Sequence, residues 1–442
     1  MYIYILLYIC SLTAADDNSR FWNIMENIFH VTHDSYVPED ARLNITQLAK
    51  KYQYSLEEHT VTTQDGYIIN FHRIPNHDGP VVFLMHGILD SADCWLLLGP
   101  KAALGYELAD KGFDVWMGNA RGNKYALSHT ALNNSMTKYW QYTWESIALM
   151  DLPAMIDYIL EKTRHDSLYY VGHSQGTTVG YALCSMRPKY NNKIKMMFSL
   201  APVAWMAHVK SPIVTMFSPA HDLLGFLLSD INTYATEMDF FKKISSFVCA
   251  ALPGKCDNIL YSLSGYETKV NSTFLSVILG HWPTGASTSQ FVHYGQLVES
   301  KRFCRFDYGH GGNMLKYGQG TPPDYDLSKV TVPVVLFYSP KDWLSDPVDV
   351  LNLKSHLRNV KELVFLEDFT HIDYIYASDA SPYVNTQIIK HIVNFEQEKI
   401  KPVMENTDRS ENLKLGNKCQ SGSTRHISMS VTRTHKFTPY QK

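Results

Sequence analysis

Leu168-Tyr169-Tyr170-Val171-Gly172-His173-Ser174-Gln175-Gly176 sets an apolar, β-prone run directly before a G-x-S-x-G pattern. Chance produces such a pattern in a chain of this length on the order of one time in ten, from ordinary Gly and Ser usage. The motif therefore needs its context. That context is present, because Thr177 to Met186 follows as a helix-like run whose small Gly180 and Ala182 permit close packing on a sheet. Strand, sharp turn and helix form the setting that lifts a serine hydroxyl clear of a sheet. The residues two before and two after the serine must then be small, since a side chain at either would strike the neighbouring strand or helix. Ser174 is the candidate nucleophile.

The same texture extends outward. Val81–Met85, Phe113–Met117 and Met196–Leu200 are short, nearly continuous apolar runs, with helical patterns such as Trp144 to Leu160 between them. Buried strands alternating with helices predict an α/β protein with a mostly parallel sheet covered on both faces. Val332–Tyr338 and Glu362–Leu366 resume the pattern later. The segment from Ala207 to Asp326 differs, being Pro- and aromatic-rich with apolar stretches such as Leu223 to Leu228, and reads as an insertion over the active edge of the sheet. The expected organisation is a leader over 1–15, core over 16–206, insertion over 207–326, core again over 327–401 and a flexible extension over 402–442. Gly309-His310-Gly311-Gly312 follows no clear strand and reads as loop.

A serine nucleophile of this kind needs a base, an acid that orients the base, and amides for the developing oxyanion. One amide belongs to the residue after the serine, here Gln175, and the other to a loop after an earlier strand. His86-Gly87-Ile88-Leu89 ends the run Val81–Met85 and offers Ile88. The order Ser, then acid, then His directs attention to the late strands. Asp342 lies just past Val332–Tyr338, whereas Asp346 precedes Pro347 as a loop or capping acid and Asp349 lies deeper in the next helix. His371 follows the last strand within a few residues, while His356 and His391 sit in helical patterns. Asp373 reads as a supporting residue or helix cap.

Composition narrows the alternatives. With 442 residues, 45% of them hydrophobic, core material is plentiful, and a formal charge of −3 gives no electrostatic reason to expect nucleic acid. The run from Tyr2 to Leu12 ends in Ala14-Ala15 and has the length of a signal-peptide core, too short to span a bilayer. No later segment is apolar enough to span one. Sequons at Asn44, Asn133 and Asn271 agree with a secretory route to the outside or the lysosome. Among 7 cysteines, Cys10 would leave with the leader, and Cys249 and Cys256 are close enough to bridge a short loop. Cys94, Cys184, Cys304 and Cys419 are expected free, Cys184 in the core. No metal, nucleotide or cofactor pattern stands out, and none is expected.

Taken together, these residues resemble the acid lipase family of the α/β-hydrolase fold, which includes gastric and lysosomal lipases and insect relatives. The likeness runs from about Thr46 to Phe395. It passes through Val61-Thr62-Thr63-Gln64-Asp65-Gly66-Tyr67, His72-Arg73-Ile74-Pro75, Asp114 to Asn123 and Asp151-Leu152-Pro153-Ala154. It continues through Gly285-Ala286-Ser287-Thr288-Ser289, Val292-His293-Tyr294, Asp307-Tyr308-Gly309, Pro322-Pro323-Asp324-Tyr325 and His371-Ile372-Asp373-Tyr374. The resemblance implies a Ser174–Asp342–His371 triad, oxyanion amides at Ile88 and Gln175, a cap with a mobile lid, and a cap disulfide between Cys249 and Cys256. The chain departs from the family at Tyr54-Ser55-Leu56-Glu57, where a proline is usual, and at Ile88, where leucine is commoner. The tail beyond Lys401 is unlike the family.

The expected activity is hydrolysis of lipid esters at a lipid–water interface, with triacylglycerol leading and sterol esters or smaller esters close behind. A non-catalytic lipid-binding or storage protein on the same scaffold is the alternative. Such proteins usually lose a member of the triad, and none is missing here. A peptidase or other acyl transferase is disfavoured by the apolar insertion.

Overall fold

A computed structural model describes residues 38–217, 264–265 and 268–398. The leader, Cys10, Leu223 to Leu228, Cys249, Cys256, Cys419 and the extension over 402–442 lie outside these residues.

Nine strands form one sheet: β1 (Glu57–Thr62), β2 (Tyr67–Ile74), β3 (Val81–Met85), β4 (Asp114–Met117), β5 (Ser128–His129), β6 (Leu168–His173), β7 (Ile194–Leu200), β8 (Val334–Tyr338) and β9 (Val360–Phe365). Their spatial order is β1-β2-β4-β3-β6-β7-β8-β9, with β5 beside β2. From β4 to β9 every pairing is parallel, and β2 pairs antiparallel with β1, β4 and β5. The central strands β3, β4 and β6 are buried at every position, which is why their sequences read as unbroken apolar runs. The outer strands differ. On β1 the burial alternates, and β9 exposes Lys361 and Glu362 on an edge that charge protects from pairing with another chain.

Helices among the described residues include α1 (Ile45–Lys51), α2 (Leu104–Asp110), α3 (Leu152–Thr163), α4 (Gln175–Met186), α5 (Pro212–Phe217), α6 (Ser272–His281), α7 (Thr288–Ser300), α8 (Gly309–Tyr317), α9 (Pro347–His356) and α10 (Asp373–Tyr376). The expected helix from Trp144 to Leu160 is interrupted: Trp144–Ser146 is α-helical and Ile147–Asp151 forms a π turn before α3. Asp346 caps α9, accepting the Val348 amide at 2.8 Å. One expectation is corrected. Gly309-His310-Gly311-Gly312 is the first turn of α8, not loop. Asn313 supplies what the glycines lack: its Oδ1 accepts the Tyr308 amide at 3.0 Å and its Nδ2 donates to Asp307 at 2.6 Å, stitching that turn closed.

Strand β3 has β4 on one side and β6 on the other, so the chain changes winding direction there. The carboxyl ends of strands beside such a point are the usual ligand position in an open α/β sheet, and the loops that leave β3 and β6 there carry Gly87 and Ser174. The segment between β7 and β8 leaves the sheet and returns to the adjacent strand. Its later part docks through His293, stacked on Trp144 at 4.0 Å, and through Arg305, which grips Glu145 with two hydrogen bonds of 2.7 and 2.9 Å. The described residues of the C-terminal unit, 390–398, are helical.

Several strings that carried the family resemblance meet in one buried cluster. Arg121 donates to Asp151 at 2.6 and 2.8 Å and to Asp65 at 2.6 and 2.9 Å, with its guanidinium 3.9 Å from the Tyr67 ring centre. Burial opposes the guanidinium charge, but the two carboxylates outweigh it and hold the group firmly ionised.

Candidate active site

Ser174 joins β6 to α4 with φ 51° and ψ −116°, a conformation that side chains rarely adopt. Its amide donates to the Leu200 carbonyl at 3.0 Å on the neighbouring strand, which fixes the corner from outside. The flanking glycines are a steric necessity. A Cβ on Gly172 would lie 2.7 Å from the backbone of Gly176, and one on Gly176 would land on the carbonyl oxygen of Met85 in β3.

The three residues read from the sequence as nucleophile, base and acid come together, although they lie far apart along the chain. His371 Nε2 is 2.7 Å from Ser174 Oγ, and its Nδ1 is 2.9 and 3.0 Å from the two oxygens of Asp342. A carboxylate can only accept, so Nδ1 carries the proton and Nε2 is free to accept from the serine hydroxyl. Asp342 is fully buried, and its Oδ1 also accepts the Leu344 and Ser345 amides at 2.9 and 2.8 Å. Ser339 ties the acid loop to the histidine loop, accepting the amides of Lys341 and Phe369 at 3.2 and 3.1 Å. Asp373, at the start of α10, accepts the Thr370 amide at 2.7 Å and bonds Thr268, which steadies the turn bearing His371.

Two further histidines in this region went unread in the sequence. His173 donates Nε2–H to the backbone carbonyl of His371 at 2.8 Å. Burial, then the nearby His371, pushes its pKa down to about 3, so the ring stays neutral. His86 donates Nδ1–H to the Gly87 carbonyl at 2.7 Å and accepts the Ala120 amide at 3.1 Å through Nε2. Burial lowers its pKa to about 4. Neither was distinguishable among the 19 histidines of the sequence, because what matters is the backbone carbonyl each one reaches.

Gln175 is the first residue of α4, so its amide is among those a helix leaves unpaired. Ile88 lies half-buried in the turn after β3, across from Ser174: a Cβ on the preceding Gly87 would sit 3.2 Å from the Ser174 Cβ. Both amides thus belong to chain segments that border the serine. Among the described residues no group of three His, Cys, Asp or Glu could hold a metal ion, and no helix is long and apolar enough to cross a membrane.

The asparagines of the three sequons, Asn44, Asn133 and Asn271, are exposed. Asn44 caps α1 through Oδ1, which accepts the Gln47 amide at 2.9 Å. Asn133 uses Oδ1 the same way towards the Ser135 amide at 2.9 Å. Cys94, Cys184 and Cys304 are buried and unpaired.

A family profile described as "alpha/beta hydrolase fold" matches residues 80–378, and one described as "Partial alpha/beta-hydrolase lipase region" matches residues 45–99. Lipase 1 of Drosophila melanogaster is 38% identical over 350 residues, 78% of this chain and 78% of that protein. Gastric triacylglycerol lipase of Bos taurus is 37% identical over 361 residues, 79% of this chain and 91% of that one. Lipase member K of Homo sapiens is 35% identical over 362 residues, 79% and 90% of the respective chains. The chain belongs to the acid lipase family of α/β hydrolases and is a carboxylic ester hydrolase.

Proposed function

We propose that the protein hydrolyses lipid esters, triacylglycerol first among them, through an acyl-enzyme on Ser174. The observation that carries this reading is the unbroken hydrogen-bond chain from Ser174 Oγ through His371 to Asp342.

In this mechanism His371 Nε2 takes the Ser174 proton as the hydroxyl oxygen attacks the ester carbonyl carbon. Asp342 keeps the ring in the required tautomer and stabilises the imidazolium. The carbonyl oxygen gains negative charge in the tetrahedral intermediate and is received by the amides of Ile88 and Gln175, each typically worth about 10²–10³ in rate. Collapse expels the alcohol, which takes the proton from His371, and leaves an acyl-serine. Water then repeats the sequence, with His371 as base and the fatty acid as product. Residues 207–326 serve as the cap that shelters the acyl chain from water. Entry to the secretory pathway through the leader, with glycans on the exposed asparagines 44, 133 and 271 and a Cys249–Cys256 bridge in the cap, completes the reading.

Ser174→Ala should abolish hydrolysis while leaving the unfolding transition intact, and activity retained by this variant would refute the assignment. A panel of long-chain triacylglycerol, cholesteryl ester and short-chain ester, run from acidic to neutral pH, ranks the substrates. Failure of a serine-reactive covalent probe to label Ser174 would favour a lipid-binding role instead.

A further inference from the structure

The turn that carries Ile88 is strained. Gly87 to Asp90 is a β-turn closed by the Asp90 amide on the Gly87 carbonyl at 3.3 Å, and its third residue, Leu89, has φ 63°. Glycine is the ordinary choice there, because a Cβ crowds the carbonyl at positive φ. A leucine keeps that conformation only if its surroundings over-determine it.

Contacts converge on this turn from three directions. His86 holds the Gly87 carbonyl. Thr284, in the segment between β7 and β8, donates its amide to the Leu89 carbonyl and its hydroxyl to the Asp90 carbonyl, both at 2.7 Å. The third comes from the histidine side of the site: Tyr376, in the short helix just after His371, donates its hydroxyl to Asp90 Oδ2 at 2.5 Å. Both residues are buried, and Asp90 Oδ1 accepts the Ser91 amide at 2.8 Å, so each carboxylate oxygen has a donor. Burial, then Asp90 itself, keeps the Tyr376 phenol protonated and therefore a donor.

We infer that Tyr376 and Asp90 are positioning residues that lock the turn bearing the Ile88 amide to the element bearing His371. The inference rests on the reading of Ile88 as an oxyanion donor. The pair joins two loops separated by most of the chain, and Ser174 stands between them. A proton-transferring ring and a fixed amide act on the same tetrahedral centre, so their relative placement sets the rate. Displacements of about 1 Å can cost on the order of 10².

Tyr376→Phe deletes only the hydroxyl and keeps the ring. With a soluble short-chain ester, kcat should fall by roughly ten-fold, less than the loss of a whole oxyanion donor. KM should stay within about two-fold, because the turn acts on the transition state and not on ground-state binding. Affinity for an alkyl trifluoromethyl ketone, which captures a serine hydroxyl as a tetrahedral oxyanion, should fall by the same factor as kcat. A variant with kcat near wild type, whatever its melting temperature, overturns the inference. So does a fall in kcat with undiminished ketone affinity, or a change confined to KM. Ser174→Ala, assayed alongside, separates the two claims: if it stays active, the nucleophile assignment fails and this inference with it. If it is inactive, the Tyr376→Phe result stands on its own.

Discussion

His173 fixes the backbone of His371: its Nε2–H reaches the His371 carbonyl at 2.8 Å, with the ring centres 5.3 Å apart. The residue beside Ser174 thereby holds the loop of His371. His173→Leu should lower kcat by about ten-fold with KM little changed, because a looser imidazole spends less time aligned with the serine. Steady-state kinetics on a soluble ester, with a thermal melt to verify folding, checks this.

Asp342→Asn should be more damaging. It keeps the shape of the side chain but offers a donor where His371 Nδ1–H needs an acceptor, which favours the wrong tautomer. A fall in kcat/KM of about 10³–10⁴ is expected, with thermal stability reduced only modestly. Comparable activity in this variant would remove Asp342 from the mechanism.

Gly176→Ala tests the corner itself. The added methyl would meet the Met85 carbonyl in β3, a backbone atom that cannot swing away. Destabilisation of about 3 kcal/mol or more is expected, from overpacking plus a displaced strand. Urea unfolding against wild type measures it.

Arg121→Ala should cost about 3–5 kcal/mol, since it strands Asp151 without a counter-charge in the interior. Asp65, being partly exposed, would recover some solvation. Urea unfolding would read this loss too, and a change under 1 kcal/mol would show that the cluster contributes little.

Stability should decline in acid. Burial lowers the pKa of His72, His86 and His293 to about 4 and that of His173 to about 3. Unfolded, each ring titrates near 6.5. Between those limits the unfolded chain binds protons that the folded chain refuses, so stability is lost as pH falls through 6.5 and levels off once the folded rings also titrate. At about 1.4 kcal/mol per pH unit, His72, His86 and His293 each contribute up to about 3 kcal/mol to that loss and His173 up to about 5. Asp90 works the other way: burial raises its pKa to about 6, so between 6 and its ordinary 3.8 the folded chain binds the proton first and gains stability as pH falls. Asp151 and Asp373, also raised by burial, act with Asp90. Asp65, Asp93 and Glu145, held low despite burial by their cationic and hydrogen-bonding partners, lose stability in acid alongside the rings, and the net is a decline. His72→Phe, which preserves a ring packed on Tyr125, should flatten the slope of melting temperature between pH 7 and pH 4.

How much was legible in the sequence depended on how local the cause was. Val81–Met85 and the run into Ser174 announced themselves because strands buried on both faces need apolar residues throughout. The antiparallel pair β1 and β2 did not stand out, since half of β1 faces solvent and its alternation is weak. Gly309 to Gly312 looked like loop because glycine disfavours helix, and the side chain that overrides this, Asn313, acts from the next turn. Ser174, Asp342 and His371 could be found by order and by strand ends. His86, His173, Asp90 and Tyr376 could not, because each is defined by a partner distant in sequence or by a carbonyl that only the folded backbone presents.

Strands β7 and β8 lie side by side, Leu200 opposite Phe337, although a long stretch of chain separates them. Because the two strands run parallel, that stretch leaves at the carboxyl end of β7 and re-enters at the amino end of β8, crossing from one edge of the sheet to the other without interrupting any strand pairing. Chimaeras that exchange it between relatives would therefore keep the strand order as it is. Beyond the His293 and Arg305 contacts, two of its attachments bear on the site: Thr284 on the turn after β3, and the Ser264 carbonyl that receives the His371 amide at 3.1 Å. A graft that omits either would loosen a turn that borders Ser174.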